Sequence, residues 1–524
     1  MIMAEYLSPG VYVEEVDKGS KPIEGAGTAC AAFIGFAEKG PVDQLTFIPN
    51  WTEFVNNFGG FIKGGYLASA VYGYFQNGGG RCYVNRLPSG DALPSSSTHT
   101  EIANAGVSIP SHSQPNLDSF IINALEAGSA GAGTTVEVVK PAGENPPEDQ
   151  FTLIARRGTI EEKFENLSLR RGKSSRNILE VVNKESKLIR VTEKESMLNP
   201  LEKMPSPGVY PLVLAEAKTK ALVKVSSEVI VGNAAERKGL LGLEVADDVT
   251  MVCCPDIMAL YQSGDLSMDG VKAVQLAMIA HCENMRDRFA ILDCPPGLNP
   301  QQVKDWRMNV AGYDTKYGAV YYPWIKVANP LGGDSIAVPP SGYMAGVYAR
   351  SDTERGVHKA PANEVVRGAT GVEMLITKGE QDILNPIGVN CIRSFPGRGI
   401  RIWGARTLSS DASWRYVNVR RLFNFIEKSI QTGTQWIVFE PNDPDLWARI
   451  RRDITAFLTN VWRTGALFGA TPAQAFYVKC DEETNPPSIR DAGQVIIEIG
   501  LAPVKPAEFV IFRISQWAAD SEAS

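Results

Sequence analysis

Each end of the chain carries a short strand-like run joined to the body through proline and glycine. At the start, the turn Leu7-Ser8-Pro9-Gly10 precedes Val11-Tyr12-Val13-Glu14-Glu15-Val16, and at the end Pro503-Val504-Lys505-Pro506 precedes Glu508-Phe509-Val510-Ile511-Phe512-Arg513-Ile514. A lone strand presents a row of unpaired N–H and C=O groups and is not stable in water. Each run must therefore complete a sheet of its own subunit or pair with an edge offered by another copy. Two such arms on one chain suggest a polymer. The residues expected to pair between copies are Val11, Tyr12, Val13 and Glu14 at one end and Phe509, Val510, Ile511 and Phe512 at the other.

Between the arms the pattern alternates strands and helices. Ala29-Cys30-Ala31-Ala32-Phe33-Ile34-Gly35-Phe36 reads as a buried strand, Trp51 to Gly59 and Tyr66 to Asn77 as helices, and Arg81 to Leu87 as a second strand. Val249 to Asp256, Phe289 to Pro296 and Gly318 to Ile325 add strand-like runs, with a helix over Val271 to Arg288. This alternation predicts a layered α/β core with a partly parallel sheet. Ser-, Pro- and Gly-rich breaks and short alternating runs mark residues 95–243 as a mostly β insertion. In the last unit, Gly399 to Thr407, Gln435 to Glu440, Phe476 to Cys480 and Gln494 to Gly500 read as strands. Two helices with apolar stripes through Tyr416, Val419, Phe423, Ile426 and Ile430, and through Leu446, Ile450, Ile454, Phe457 and Val461, are expected to cover one face of that sheet in an α+β sandwich. The predicted organisation is an arm over 1–25, an α/β core from 26–94 with 244–385, the β-rich insertion over 95–243 on the outer surface, a C-terminal α+β domain over 386–502, and a second arm and tail over 503–524.

Charge and rare residues narrow the chemistry. The net charge of −7, from 52 basic and 59 acidic residues, gives no general reason to expect nucleic acid or an anionic membrane as partner. Met1-Ile2-Met3-Ala4-Glu5 has neither a basic nor an apolar leader region, and no run is long and apolar enough for a membrane span, so a cytoplasmic start without membrane insertion is expected. The eight cysteines are scattered without a C-x-x-C pair, as free thiols in a reducing compartment would be, and the four histidines lack ligand spacing, so neither metal nor cofactor is expected. No phosphate-binding loop, Gly-x-Ser-x-Gly elbow or H-E-x-x-H motif is present. Asp256 and Asp293 fall at strand C-terminal ends, where α/β enzymes place catalytic groups, and with the cysteines they support the rival reading of a hydrolase or transferase. Both also lie beside prolines at turns, where a carboxylate caps backbone N–H groups.

Two stretches carry a family resemblance. The opening from Tyr6 to Val16, continuing through Gly25–Gly35 and Ala37-Glu38-Lys39-Gly40-Pro41, resembles the start of contractile tail sheath proteins. The run Asn390-Cys391-Ile392-Arg393-Ser394-Phe395-Pro396-Gly397-Arg398-Gly399-Ile400-Arg401-Ile402-Trp403-Gly404-Ala405-Arg406-Thr407-Leu408, with Trp414 to Leu422 after it, resembles the C-terminal sheath domain. The resemblance implies a structural, non-enzymatic subunit of a phage tail or phage-like injection particle. It would polymerise as hexameric rings stacked in a helix around an inner tube, joined by its arms, with baseplate and terminal cap proteins as further partners. A related cap or initiator protein is the alternative within the family. Cys391 to Arg421 holds seven arginines against one acidic residue, Asp411. The resemblance makes Arg415, Arg420, Arg421, Arg449 and Arg452 the candidates for a basic patch facing the tube.

Overall fold

The protein is described by a computed structural model over residues 22–88, 104–113, 117–127, 133–141, 147, 149–158, 160–170, 176–193, 201–212 and 225–513. The chain divides into two units, residues 1–94 with 223–524 and residues 95–222. The larger unit is organised by an eight-stranded sheet of β1 (Cys30–Gly35), β2 (Thr46–Ile48), β3 (Arg81–Arg86), β11 (Met251–Cys253), β12 (Phe289–Asp293), β13 (Gly318–Tyr322), β17 (Val389–Phe395) and β18 (Gly399–Ile402), in the order β18-β17-β13-β12-β11-β1-β3-β2. Its interior strands from β17 to β3 run parallel, and β18 and β2 close the two edges antiparallel. A parallel strand is buried on both faces, which explains why β1, β12 and β13 are buried at every position rather than alternating, and apolar but for Asp293 at the end of β12.

Two core clusters flank this sheet, one holding Ile34, Val252, Leu292 and Trp324, the other Phe33, Tyr74, Ile291 and Tyr348. The helices Leu67–Gln76 and Ser341–Arg355 belong to the second and cross closely because Gly342 and Gly346 leave room for the backbone at Ala70 and Tyr74. Between Tyr322 and Lys326 the chain leaves the main sheet and enters a small three-stranded one, β15 (Ile336–Val338), β14 (Ile325–Val327) and β16 (Ala369–Val372).

The second unit has its own core. β4 (Asn104–Pro110), β5 (Asp118–Ala127) and β9 (Ile189–Glu193) form one antiparallel sheet, and β6 (Thr134–Val139), β7 (Phe151–Arg157), β8 (Ile160–Leu167) and β10 (Gly208–Pro211) form another. Phe120, Ile122, Val136, Leu153 and Val182 meet between them. The unit closes earlier than the expected 243: Val225, Ile230, Leu240 and Leu243 pack into the core of the larger unit. Similarly, β17 and β18 belong to the main sheet, so the last subdomain starts after them rather than at 386.

That subdomain is built from the helices Val417–Gly433 and Pro444–Arg463 over β19 (Phe476–Lys479) and β20 (Glu498–Leu501). Asp443 caps the second helix by accepting from Leu446 N at 2.8 Å, and Pro444 supplies its first turn. Leu446, Ile450, Ile454, Phe457 and Val461 form its buried stripe, as their spacing predicts. The expected strand Gln435–Glu440 is instead a single 3₁₀ turn, Gln435–Ile437, leading into a loop with Phe439 at φ 69°. Among the described residues its apolar side chains have no partner strand, and Val438 and Phe439 stay exposed.

Candidate interaction surface

β19 and β20 pair antiparallel from Phe476 opposite Leu501 to Lys479 opposite Glu498, and neither has another strand partner among the described residues. The inner face is covered: Phe476, Val478, Ile499 and Leu501 pack with Leu446, Ile450 and Leu458. A two-stranded sheet is marginal alone, and here the helices stabilise one face while strand edges remain. Those edges are templates for a further strand.

Beyond β20 the chain keeps close to the body for a few residues. Phe468 N donates to Ala502 O at 2.7 Å and Val504 N to Ala466 O at 3.2 Å, while Asn418 Nδ2 donates to Val504 O at 3.2 Å. Glu508 is then held by a set of donors. Its Oε1 accepts from Arg406 Nε at 2.9 Å and Asn385 Nδ2 at 2.7 Å, and its Oε2 from Arg406 Nη2 at 2.7 Å and Tyr416 Oη at 3.0 Å. Burial pushes the Glu508 carboxyl up, but these donors outweigh it and hold the group below the usual carboxylate range. Immediately afterwards Phe509, Val510, Ile511 and Phe512 are 71%, 70%, 80% and 82% exposed, with no regular secondary structure. Four consecutive exposed apolar residues are unusual for a protein surface. Val11, Tyr12, Val13 and Glu14 lie outside the described residues. Just after them, Ile23 joins the helical core and Ala26 N donates to Ser429 Oγ at 2.9 Å.

The basic patch does not hold together as expected. Arg420 and Arg421 are buried in the first turns of the helix Val417–Gly433. Arg421 forms an ion pair with Asp352 at 2.6 Å, donates to Thr28 O at 2.9 Å and stacks over Tyr348. Arg420 pairs with Glu427 at 2.9 Å and lies 4.6 Å from the centre of Trp414 and 4.7 Å from that of Tyr317. Both guanidinium groups are thus spent inside the fold, because this helix start is packed on every side. Arg415, Arg449 and Arg452 are not buried, and the last two carry carboxylate neighbours, Glu440 at 3.2 Å and Asp453 at 3.0 Å.

Asp256 and Asp293 are buried and occupied. Asp256 accepts from Phe36 N at 2.6 Å and from Tyr66 N, tying the first helical hairpin to the sheet. Asp293 accepts from Ser341 N at 2.8 Å and Ser341 Oγ at 2.6 Å at the start of the helix Ser341–Arg355. Burial raises both to about 7 against these donors. All eight cysteines are buried and unpaired. Sequence reasoning placed Arg406 in the arginine run and Glu508 at the arm but did not join them; a lone acid before an apolar run, with a surplus of arginines far upstream, was the available signal.

Comparison with known proteins places these features in context. Residues 249–408 match the phage tail sheath protein central domain and residues 409–516 the phage tail sheath C-terminal domain. The chain is 29% identical over 189 residues to the tail sheath protein of Vibrio phage KVP40, which covers 35% of this chain and 27% of that protein. It is 27% identical over 258 residues to the tail sheath protein of Burkholderia phage BcepMu, covering 46% of this chain and 50% of that one. The chain thus spans half or less of the length of these two relatives. Its fold is similar to that of a chain in the helical sheath of the anti-feeding prophage in the contracted state, with a TM-score of 0.58 and 24% identity over 98% of this chain and 99% of the other.

Proposed function

The chain belongs to the contractile tail sheath family, with that family's central and C-terminal domains over residues 249–408 and 409–516, and from this we propose that it is the structural subunit of a contractile sheath. Copies polymerise as hexameric rings stacked helically around an inner tube, and contraction drives the tube through a target envelope. The observation that carries the reading is the exposed run Phe509–Phe512 on the same subunit as an unextended two-stranded sheet. An arm of one copy adds a strand to the sheet of another, backbone hydrogen bonds providing the link and alternate side chains fixing register. Fully burying a large apolar side chain contributes about 1.5–3 kcal/mol, and ordering each backbone residue costs about 1–2 kcal/mol. Links of this size hold a lattice cooperatively rather than one pair at a time.

The N-terminal run Val11–Glu14 is proposed to take part in the same exchange. Arg415, Arg449 and Arg452 remain as the basic residues for an acidic tube surface, without Arg420 and Arg421. Baseplate and cap proteins are the partners proposed at the ends of the polymer, and assembly is proposed to begin in the cytoplasm. No catalytic role is assigned to Asp256 or Asp293, since both carboxylates are already used as acceptors for backbone and serine donors. Negative-stain electron microscopy of the full chain, alone and with its candidate tube protein, tests the proposal. Striated hollow cylinders are expected; dispersed particles under every condition, including with the tube, would refute it.

A further inference from the structure

We propose that Glu508 is the positioning residue of the C-terminal arm, whose clamped carboxylate fixes where and in which direction residues 509–512 leave the body toward a second copy. The inference rests on the sheath reading and goes beyond it by naming the group that aims the exchanged strand. Arg406 approaches the carboxylate through Nε and Nη2, a paired geometry that fixes orientation as well as distance. Asn385 and Tyr416 complete the set from two other elements, the turn before β17 and the residue before the helix Val417–Gly433.

Arg406 is itself held rigidly. Its N donates to Asn390 Oδ1 at 2.7 Å, Asn390 Nδ2 donates back to Arg406 O at 2.8 Å, and Arg406 Nη1 donates to Asn385 O at 3.2 Å. Asn390 lies on β17 and also donates to Val320 O on β13 at 3.2 Å, so one side chain ties the arginine to two strands of the main sheet. The arm's root is therefore bolted to the central sheet and not only to the small sheet from which it emerges. The chain is hydrogen-bonded to the body at Val504 and again at Glu508; from Phe509 to Phe512 its side chains are open to solvent. The boundary falls at a single residue. Any movement of the main sheet is transmitted to the arm's point of departure, while the residues that would pair with another copy stay free of their own body.

The test uses the full chain. Because the native cysteines are buried, nitroxide labels at Arg513→Cys and Gln431→Cys report the distance from the arm to the body by electron spin resonance in dilute, unassembled protein. The expected distribution is narrow, and Glu508→Gln or Arg406→Gln broadens it while the thermal midpoint of the Glu508→Gln protein stays in place. Glu508→Asp, which keeps the charge, remains closer to the unmodified protein. In unlabelled protein, Glu508→Gln raises the concentration needed for polymer formation about tenfold or more, as loss of charge-assisted hydrogen bonds requires. An unchanged distance distribution in Glu508→Gln overturns the proposal, and so does a broadened one with polymer formation at the unmodified concentration. If the unmodified chain forms no polymer at all, the sheath reading fails, and the distance distribution still decides whether the carboxylate aims the arm.

Discussion

The guanidinium of Arg421 meets the carboxylate of Asp352 through two hydrogen bonds, 2.8 Å from Nη1 to Oδ1 and 2.6 Å from Nη2 to Oδ2. The two side chains are 4% and 3% exposed and join the helix Val417–Gly433 to the end of the helix Ser341–Arg355. The pair converts an arginine that looks like a surface contact in the sequence into a fastener between the last subdomain and the body.

Removing one partner leaves the other charged and buried. Arg421→Ala is expected to destabilise the subunit by about 3–5 kcal/mol, measured by urea unfolding, whereas Arg415→Ala, at an exposed position, should stay within about 0.5 kcal/mol. The double variant Arg421→Ala with Asp352→Ala should cost less than the sum of the singles. Additive costs would count against the pairing.

Asp293 gives a pH signature. Its folded value is raised from 3.8 to about 7, chiefly by burial and against the Ser341 donors. A raised folded value means that the native state holds the proton more tightly than the unfolded chain. The contribution is full below about 3.8 and is lost as pH rises through about 7. Relative to Asp293→Asn, which stays neutral, the wild-type urea midpoint should fall between pH 4 and 7 and level off above. A difference that is flat across that window removes the assignment.

Gly342 sits where a side chain has no room. A Cβ there would lie 2.5 Å from Ala70 Cα and Ala70 O on the neighbouring helix. Alanine favours a helix by about 1 kcal/mol over glycine, but overpacking costs about 1–3 kcal/mol. The clash should win, and Gly342→Ala should lower the thermal midpoint. A rise would mean that the two helices are free to separate.

The arm's backbone can be tested apart from its side chains. Ile511→Pro removes an N–H from a residue that is 80% exposed, so thermal stability should be unmoved. Polymers should be absent in electron micrographs, because a strand added to a sheet needs that donor. Normal cylinders from this variant would rule out pairing through Ile511.

The proposed tube contact is carried by Arg415, Arg449 and Arg452, none of them buried. Arg449→Glu with Arg452→Glu is expected to reduce copurification with the tube protein and to steepen its loss as salt rises. Equal recovery from both proteins would place the contact elsewhere.

Much of the layout was legible in residue order. Apolar runs such as Ala29–Phe36 announce strands buried on both faces, and the Asp443-Pro444 start and the five-residue stripe after it define a helix, because these signals come from neighbours a few positions apart. The arms, too, stand out locally as strand-like runs that follow prolines; in the described one, residues 509–512 are exposed and have no regular secondary structure.

Packing alone sets which groups meet across long separations. Glu508 and Arg406, Arg421 and Asp352, and β17 beside β13 are each joined over tens of residues or more. Local spacing carries no information about such pairs. Whether a charge is a surface contact or an internal bolt is set by burial and by the partner that packing brings to it. Residue order was enough to mark most helices and strands, since those signals are local; only the packed body turns Arg420 and Arg421 inward and brings Arg406 onto Glu508.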